Sequence, residues 1–129
     1  MGNPLMNTAL WAISGVLTLV FLAAGLMKIG QPREKLAAAG MAWTTAFPPG
    51  AVKAVGAVEV LGALGLTVPA ALGIAPAVAA WAALGLAATM LGAIVLHLRR
   101  KEATALPVAL VLFALAAEVA WGRFGPYAF

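Results

Sequence analysis

The chain has 129 residues, of which 64% are hydrophobic and only 9% charged, against roughly 25% charged in a soluble domain. With a mean hydropathy of +1.05 it cannot coat a globule in water and belongs in a bilayer, which sets aside soluble enzymes, secreted disulfide scaffolds and nucleic-acid modules. The net charge of +4 comes from eight Lys and Arg that form no single broad patch, and the absence of cysteine removes dithiol chemistry, iron–sulfur ligation and thiolate zinc sites within the chain.

A helix needs roughly 20 apolar residues to cross the hydrocarbon core. The first such run covers residues 5–27 and carries no charge before Lys28. Its start, Met1-Gly2-Asn3-Pro4, lacks the basic n-region of a signal peptide and the run is too long for one, so it reads as a retained helix. Residues 32–47 read as an interfacial segment. A short helix is expected to begin near Pro32, because Pro suits a first helical turn, and Pro48-Pro49-Gly50 stops it. A second span is expected over 51–68, then a turn between Pro69 and Pro76, a third span over 76–98, the polar loop Arg99-Arg100-Lys101-Glu102, and a fourth span over 104–121, with Arg123, Pro126 and Tyr127 in a short tail. Unpaired backbone is too costly in lipid, and four segments cannot close a barrel. The expected fold is therefore all-α, a polytopic membrane four-helix bundle in one domain.

Four spans put the 28–50 and 99–102 loops on one side. Seven of the eight basic residues fall there, Lys28, Arg33, Lys35, Lys53, Arg99, Arg100 and Lys101, with Arg123 alone opposite. The positive-inside rule then places both termini on the non-cytoplasmic side, expected to be that of a bacterial-type inner membrane. Trp11, Trp81, Trp121 and Tyr127 fall near the outer helix ends, as an aromatic belt does. The many Ala and Gly residues suit close helix packing and self-association as a homo-oligomer.

Glu59 is the most informative residue. It sits halfway along the second span, with Gly56 and Gly62 three residues to either side on the same face, where they are expected to open a groove around it. A charge at mid-bilayer costs at least ~2.5–3.5 kcal/mol on insertion scales. It is relieved by a partner cation or by protonation. Lys53 is six residues away and does not share its face, so a partner must come from another helix or through water. Lys28, Lys53 and His97 ring the basic end at similar depth as candidate ligand-binding groups, against the plainer reading that both lysines snorkel to lipid phosphates. Glu118 is a second candidate acid; counted at about 1.5 Å per residue it lies about 8 Å nearer the outer face than Glu59. Trp81 and Trp121 complete the candidate binding residues. Ser14, Thr18 and Thr89 are expected to bond to the preceding turn or across helices. No metal-ligand spacing, phosphate-binding Gly-rich loop or nucleophile elbow occurs.

Phe21-x-x-Ala24-Gly25-x-x-Lys28, Trp43, Pro48, the segment from Lys53 to Pro69 and the ending His97-x-Arg99-Arg100-x-Glu102 together resemble the DoxX-like family of small four-helix membrane proteins. The fourth span carries none of this resemblance. It implies a four-helix bundle; relatives include a subunit linked to thiosulfate oxidation with quinone and proteins tied to redox stress or to assembly of other membrane proteins. Quinone is the one cofactor it suggests, and the lack of cysteine argues against a sulfur relay on this protein. Two functions follow as expectations. One is an intramembrane site where Glu59 does acid–base chemistry on a lipophilic small molecule, an isoprenoid or a quinone. The other is a non-enzymatic assembly factor or accessory subunit with a membrane-protein partner. Small proton-coupled transporters share the size, but their acid lies in the first helix, where this chain has none.

Overall fold

The computed structural model describes residues 4–129; Met1, Gly2 and Asn3, on which the reading of a retained start leans, lie outside them. Helix α1 covers Pro4–Gly30, α2 Arg33–Ala38, α3 Pro49–Ala71, α4 Val78–Arg99 and α5 Leu106–Phe124, with a 3₁₀ turn at Ala42–Ala46 between α2 and α3. Four of these, α1, α3, α4 and α5, are long and apolar enough to cross a membrane, and no strand occurs among the described residues.

Four membrane-length helices lie along the four apolar runs, with ends that differ from the expected bounds by up to three residues. Helix α3 runs through Pro69, which lies in its last turn, where one missing N–H bond disturbs little of the ladder. The chain turns at Gly73, between Pro69 and Pro76, where a φ of +71° lets the amide of Ile74 reach back to the Pro69 carbonyl at 2.8 Å, a left-handed C-terminal cap. Helix α4 begins two residues after Pro76. At the far end α5 continues to Phe124, so Arg123 is helical rather than part of a tail. Pro32 stands just ahead of the first residue of α2, as expected, and Leu36 and Thr44 anchor the connector, both fully buried.

The bundle is assembled from two tight antiparallel pairs, α1 with α3 and α4 with α5. In the first pair a Cβ added at Gly25 would lie 2.6 Å from the carbonyl oxygen of Gly56, and one at Gly56 would lie 2.7 Å from that of Gly25. Only hydrogen at both positions permits this approach, which suits a membrane interior where lipid supplies no hydrophobic drive. Nearer the other end Thr18 donates to the Ala63 carbonyl at 3.1 Å and sits 3.2 Å from the Thr67 hydroxyl. Thr89 instead bonds back to Gly85 within α4.

The two pairs meet at the end that holds Trp11, Trp81 and Trp121, here called the aromatic end. Gly62 receives the Leu86 side chain of α4, Gly65 faces Ala82, and Gly122 of α5 receives Leu10 of α1. Arg123 is buried there, donating to the Asn7 side chain at 2.6 Å and the Tyr127 carbonyl at 2.9 Å and stacking 4.0 Å from the Phe129 ring centre. Towards the opposite, basic end the pairs separate, and the connector between α1 and α3 lies across the gap.

The Gly25–Gly56 contact is expected to be intolerant of a methyl. Gly25→Ala should destabilise the protein by about 1–3 kcal/mol, the range for overpacking, read as a lower thermal midpoint in detergent. Gly85→Ala, where nothing stands within 4 Å, should be neutral or stabilising by up to about 1 kcal/mol. Equal midpoints for the two variants would contradict this packing.

Candidate intramembrane site

At the basic half of the bundle all four spans and the connector enclose a cavity of about 670 Å³, within the size range of small-molecule sites. Its walls are mostly apolar: Phe21 and Ala24 from α1, Val55 from α3, Met90 and Ala93 from α4, and Leu112 from α5. Met41, Trp43 and Phe47 of the connector close its basic end. Val20 and Val108 also line it and are 38% and 60% exposed, so the cavity reaches the lipid-facing surface where the pairs diverge.

Four polar side chains border this space: Glu59, Lys28, His97 and Thr89, the last with its hydroxyl bonded back to Gly85. Glu59 is 2% exposed and Lys28 6%. Lys28 Nζ donates to Glu59 Oε1 at 2.6 Å. Helix geometry explains the pair. Gly25 and Gly56 face one another; Lys28 lies three residues beyond Gly25 towards the basic end, and Glu59 three beyond Gly56 in the opposite direction. Their backbones therefore differ by six residues along the axis, about 9 Å at 1.5 Å per residue. Side chains tilt towards their own helix N-terminus, and in antiparallel helices these tilts converge. Lys28 thus turns into the bundle instead of snorkelling outward. Its ammonium also lies 5.8 Å from the Trp43 ring centre, within cation–π range.

The expected groove around Glu59 is filled rather than open. Gly56 takes the backbone of α1 and Gly62 takes Leu86; the open space lies instead on the side of Val55 and Val52. Lys53 is exposed and donates to the Ile29 carbonyl at 2.6 Å, capping the C-terminal end of α1. His97 lines the cavity, and its Nδ1 lies 2.9 Å from Glu102 Oε1, with Arg100 Nε 3.3 Å from the same oxygen. The hydrogen bond from His97, then that and the charge of Arg100, hold the Glu102 carboxyl below its usual range.

The structure brings Glu59, Lys28 and His97 to one cavity and leaves the other candidates apart. Glu118 is exposed, in line with Val111, Ala114 and Trp121 on the outward side of α5. The inward positions of that helix are Ala109, Ala116, Val119, Ala120 and Arg123, and Glu118 falls outside their phase. Trp81 and Trp121 are 64% and 54% exposed at the aromatic end, packed against Phe124 and Tyr127 respectively. Sequence reasoning missed Trp43 as a wall of the site and Arg123 as a buried tie; Asn7 and Arg123, lone polar groups near the same membrane face, were the available signal for the latter. No group of three His, Cys, Asp or Glu side chains is placed to hold a metal among the described residues.

Removing one member of a buried ion pair strands the other, at about 3–5 kcal/mol. Lys28→Met alone and Glu59→Leu alone should each lower stability by about that much, whereas the double variant should recover most of the loss in a thermal-unfolding cycle in detergent. Additive losses would contradict a coupled pair.

The chain matches the DoxX-like family over residues 12–119, which takes in most of the fourth span although that span had shown no resemblance. No curated protein and no solved structure matches it. A match over most of the chain, four membrane-length helices and the spacing of Gly25, Lys28 and Glu59 within them lead to one identification: the chain belongs to the DoxX-like family of membrane proteins.

Proposed function

We propose that the protein holds a lipophilic small molecule in the four-helix cavity and that the Lys28–Glu59 pair exchanges a proton with it. The observation that carries this reading is the position of the pair, buried yet bordering a cavity of about 670 Å³ with apolar walls. A structural pair would be served as well by solid packing on every side. Glu59, which accepts from Lys28, is the proton acceptor of the site, and Lys28 the donor; His97, whose Nε2 makes no hydrogen bond among the described residues, is a further polar group in the wall. An isoprenoid undergoing acid–base chemistry and a quinone exchanging protons at its head both fit an apolar space with one polar corner. For a quinone the electrons come from a partner protein, since this chain has no thiol to carry them.

The basic end is proposed to face the cytoplasm, following the excess of Lys and Arg in its loops, so the ligand would lie in the inner leaflet. A second reading, an accessory subunit, draws on Glu118. A carboxylate exposed on the outward side of a membrane-length helix is costly in lipid and would be relieved by a cation on a partner helix.

The test is to purify wild type and Ala93→Phe in mild detergent, extract each with organic solvent and identify the lipophiles by mass spectrometry. Wild type is expected to carry a compound enriched over bulk membrane lipid. The phenyl ring, placed in the cavity wall, should reduce it about tenfold or more, the equivalent of at least 1.4 kcal/mol. Wild-type extracts that match bulk lipid would overturn the small-molecule reading and favour the accessory-subunit one.

A further inference from the structure

A second depression, of about 360 Å³, lies at the basic end between the α1–α2 corner and the first turns of α3. Its character is opposite to that of the apolar cavity. Lys28, Arg33 and Lys53 line it, with Glu34 as the one acidic residue in its wall. Lys28 and Val52 belong to the walls of both spaces, so the two adjoin at these side chains.

The charges in this depression are unbalanced. Lys28 has Glu59 as its counter-ion. Arg33 and Lys53 meet only backbone carbonyls, Phe47 at 2.7 Å and Ile29 at 2.6 Å, and neither lies in a salt bridge among the described residues. Each keeps further N–H donors for a ligand, since an ammonium has three and a guanidinium five. Arg33 also joins the two spaces, because its carbonyl partner Phe47 is in the wall of the apolar cavity. A neutral lipophile would use the cavity and leave these cations unmatched.

We infer that the ligand is an anionic amphiphile, whose hydrocarbon chain occupies the apolar cavity and whose phosphate head lies in the depression against Arg33 and Lys53. This rests on the cavity reading of the proposed function and narrows it to a class of substrate. Basic residues at a membrane face attract lipid phosphates in general; here they stand beside a cavity able to take the attached chain, and that juxtaposition sets the specificity.

The probes are farnesyl monophosphate and farnesol, titrated calorimetrically at low salt into the full chain held in phosphatidylcholine nanodiscs. Wild type is expected to bind the phosphate at least about tenfold more tightly than the alcohol. Arg33→Gln and Lys53→Gln should each remove much of that advantage, about three- to tenfold for one charge near a protein surface, with farnesol binding by Lys53→Gln unchanged as a check on folding. Lys53→Arg should restore it. Nanodiscs containing phosphatidylglycerol separate the two sources of such a ligand. Competition by that lipid assigns the site to a bilayer phospholipid, and undiminished affinity assigns it to a prenyl phosphate; both outcomes keep the phosphate on its chain. Equal affinity for alcohol and phosphate, or charge variants without effect, would overturn the inference and leave the cavity reading standing. That reading fails separately, if extraction finds no enriched lipophile.

Discussion

The arrangement of this bundle depends on one close approach, that of the α1 and α3 backbones at Gly25 and Gly56. Two helices that touch at hydrogen rather than at Cβ bring the next functional side chains within reach of each other. Lys28 and Glu59 then meet at 2.6 Å although their backbones stand six positions apart in register, because antiparallel helices tilt their side chains towards one another. A carboxylate at mid-bilayer that would cost several kcal/mol alone is thereby matched within the chain. The glycines are the precondition and the ion pair is the consequence.

The same packing explains where space remains. Glycines and small residues let the two helix pairs close at the aromatic end, around Leu10, Leu86 and the Arg123–Asn7 tie. Close contact at one end and divergence at the other leave a cavity in the basic half, covered by the connector. The ion pair lies in the wall of this cavity, so its electrostatics act on whatever occupies it. In a low-dielectric site such fixed charges have large effects on a nearby polar group.

Much of the fold could be read from the chain, because the bilayer imposes a length and a polarity on each span. The runs before Lys28, after Gly50, after Pro76 and after Glu102 stand out by hydropathy alone. Their ends were less legible: Pro69 looks like a stop, yet a Pro in a last turn breaks little, and Arg123 looks like tail, yet it is buried through contacts with Asn7 and Phe129 that lie more than a hundred residues away or beyond the helix. Glu59 stood out as a charge where none is cheap, and an interhelical partner was foreseeable from the six-residue spacing to Lys53. That the partner is Lys28 was not, since the answer depends on the register of α1 against α3, which only the Gly25–Gly56 contact sets. Spacing alone likewise makes Gly62 border an opening when Leu86 fills it, and makes Glu118 a second candidate acid when the phase of α5 turns it outward.

Whether the cavity beside the Lys28–Glu59 pair holds a lipophilic ligand is tested most directly by a crystal structure grown from a lipidic mesophase. Lys28 Nζ should stand within hydrogen-bonding distance of Glu59, with elongated density in the space between Met90, Leu112 and Trp43 that ends beside the pair. A cavity filled by repacked side chains or by a helix of a second copy, with Glu59 turned away from Lys28, would contradict it.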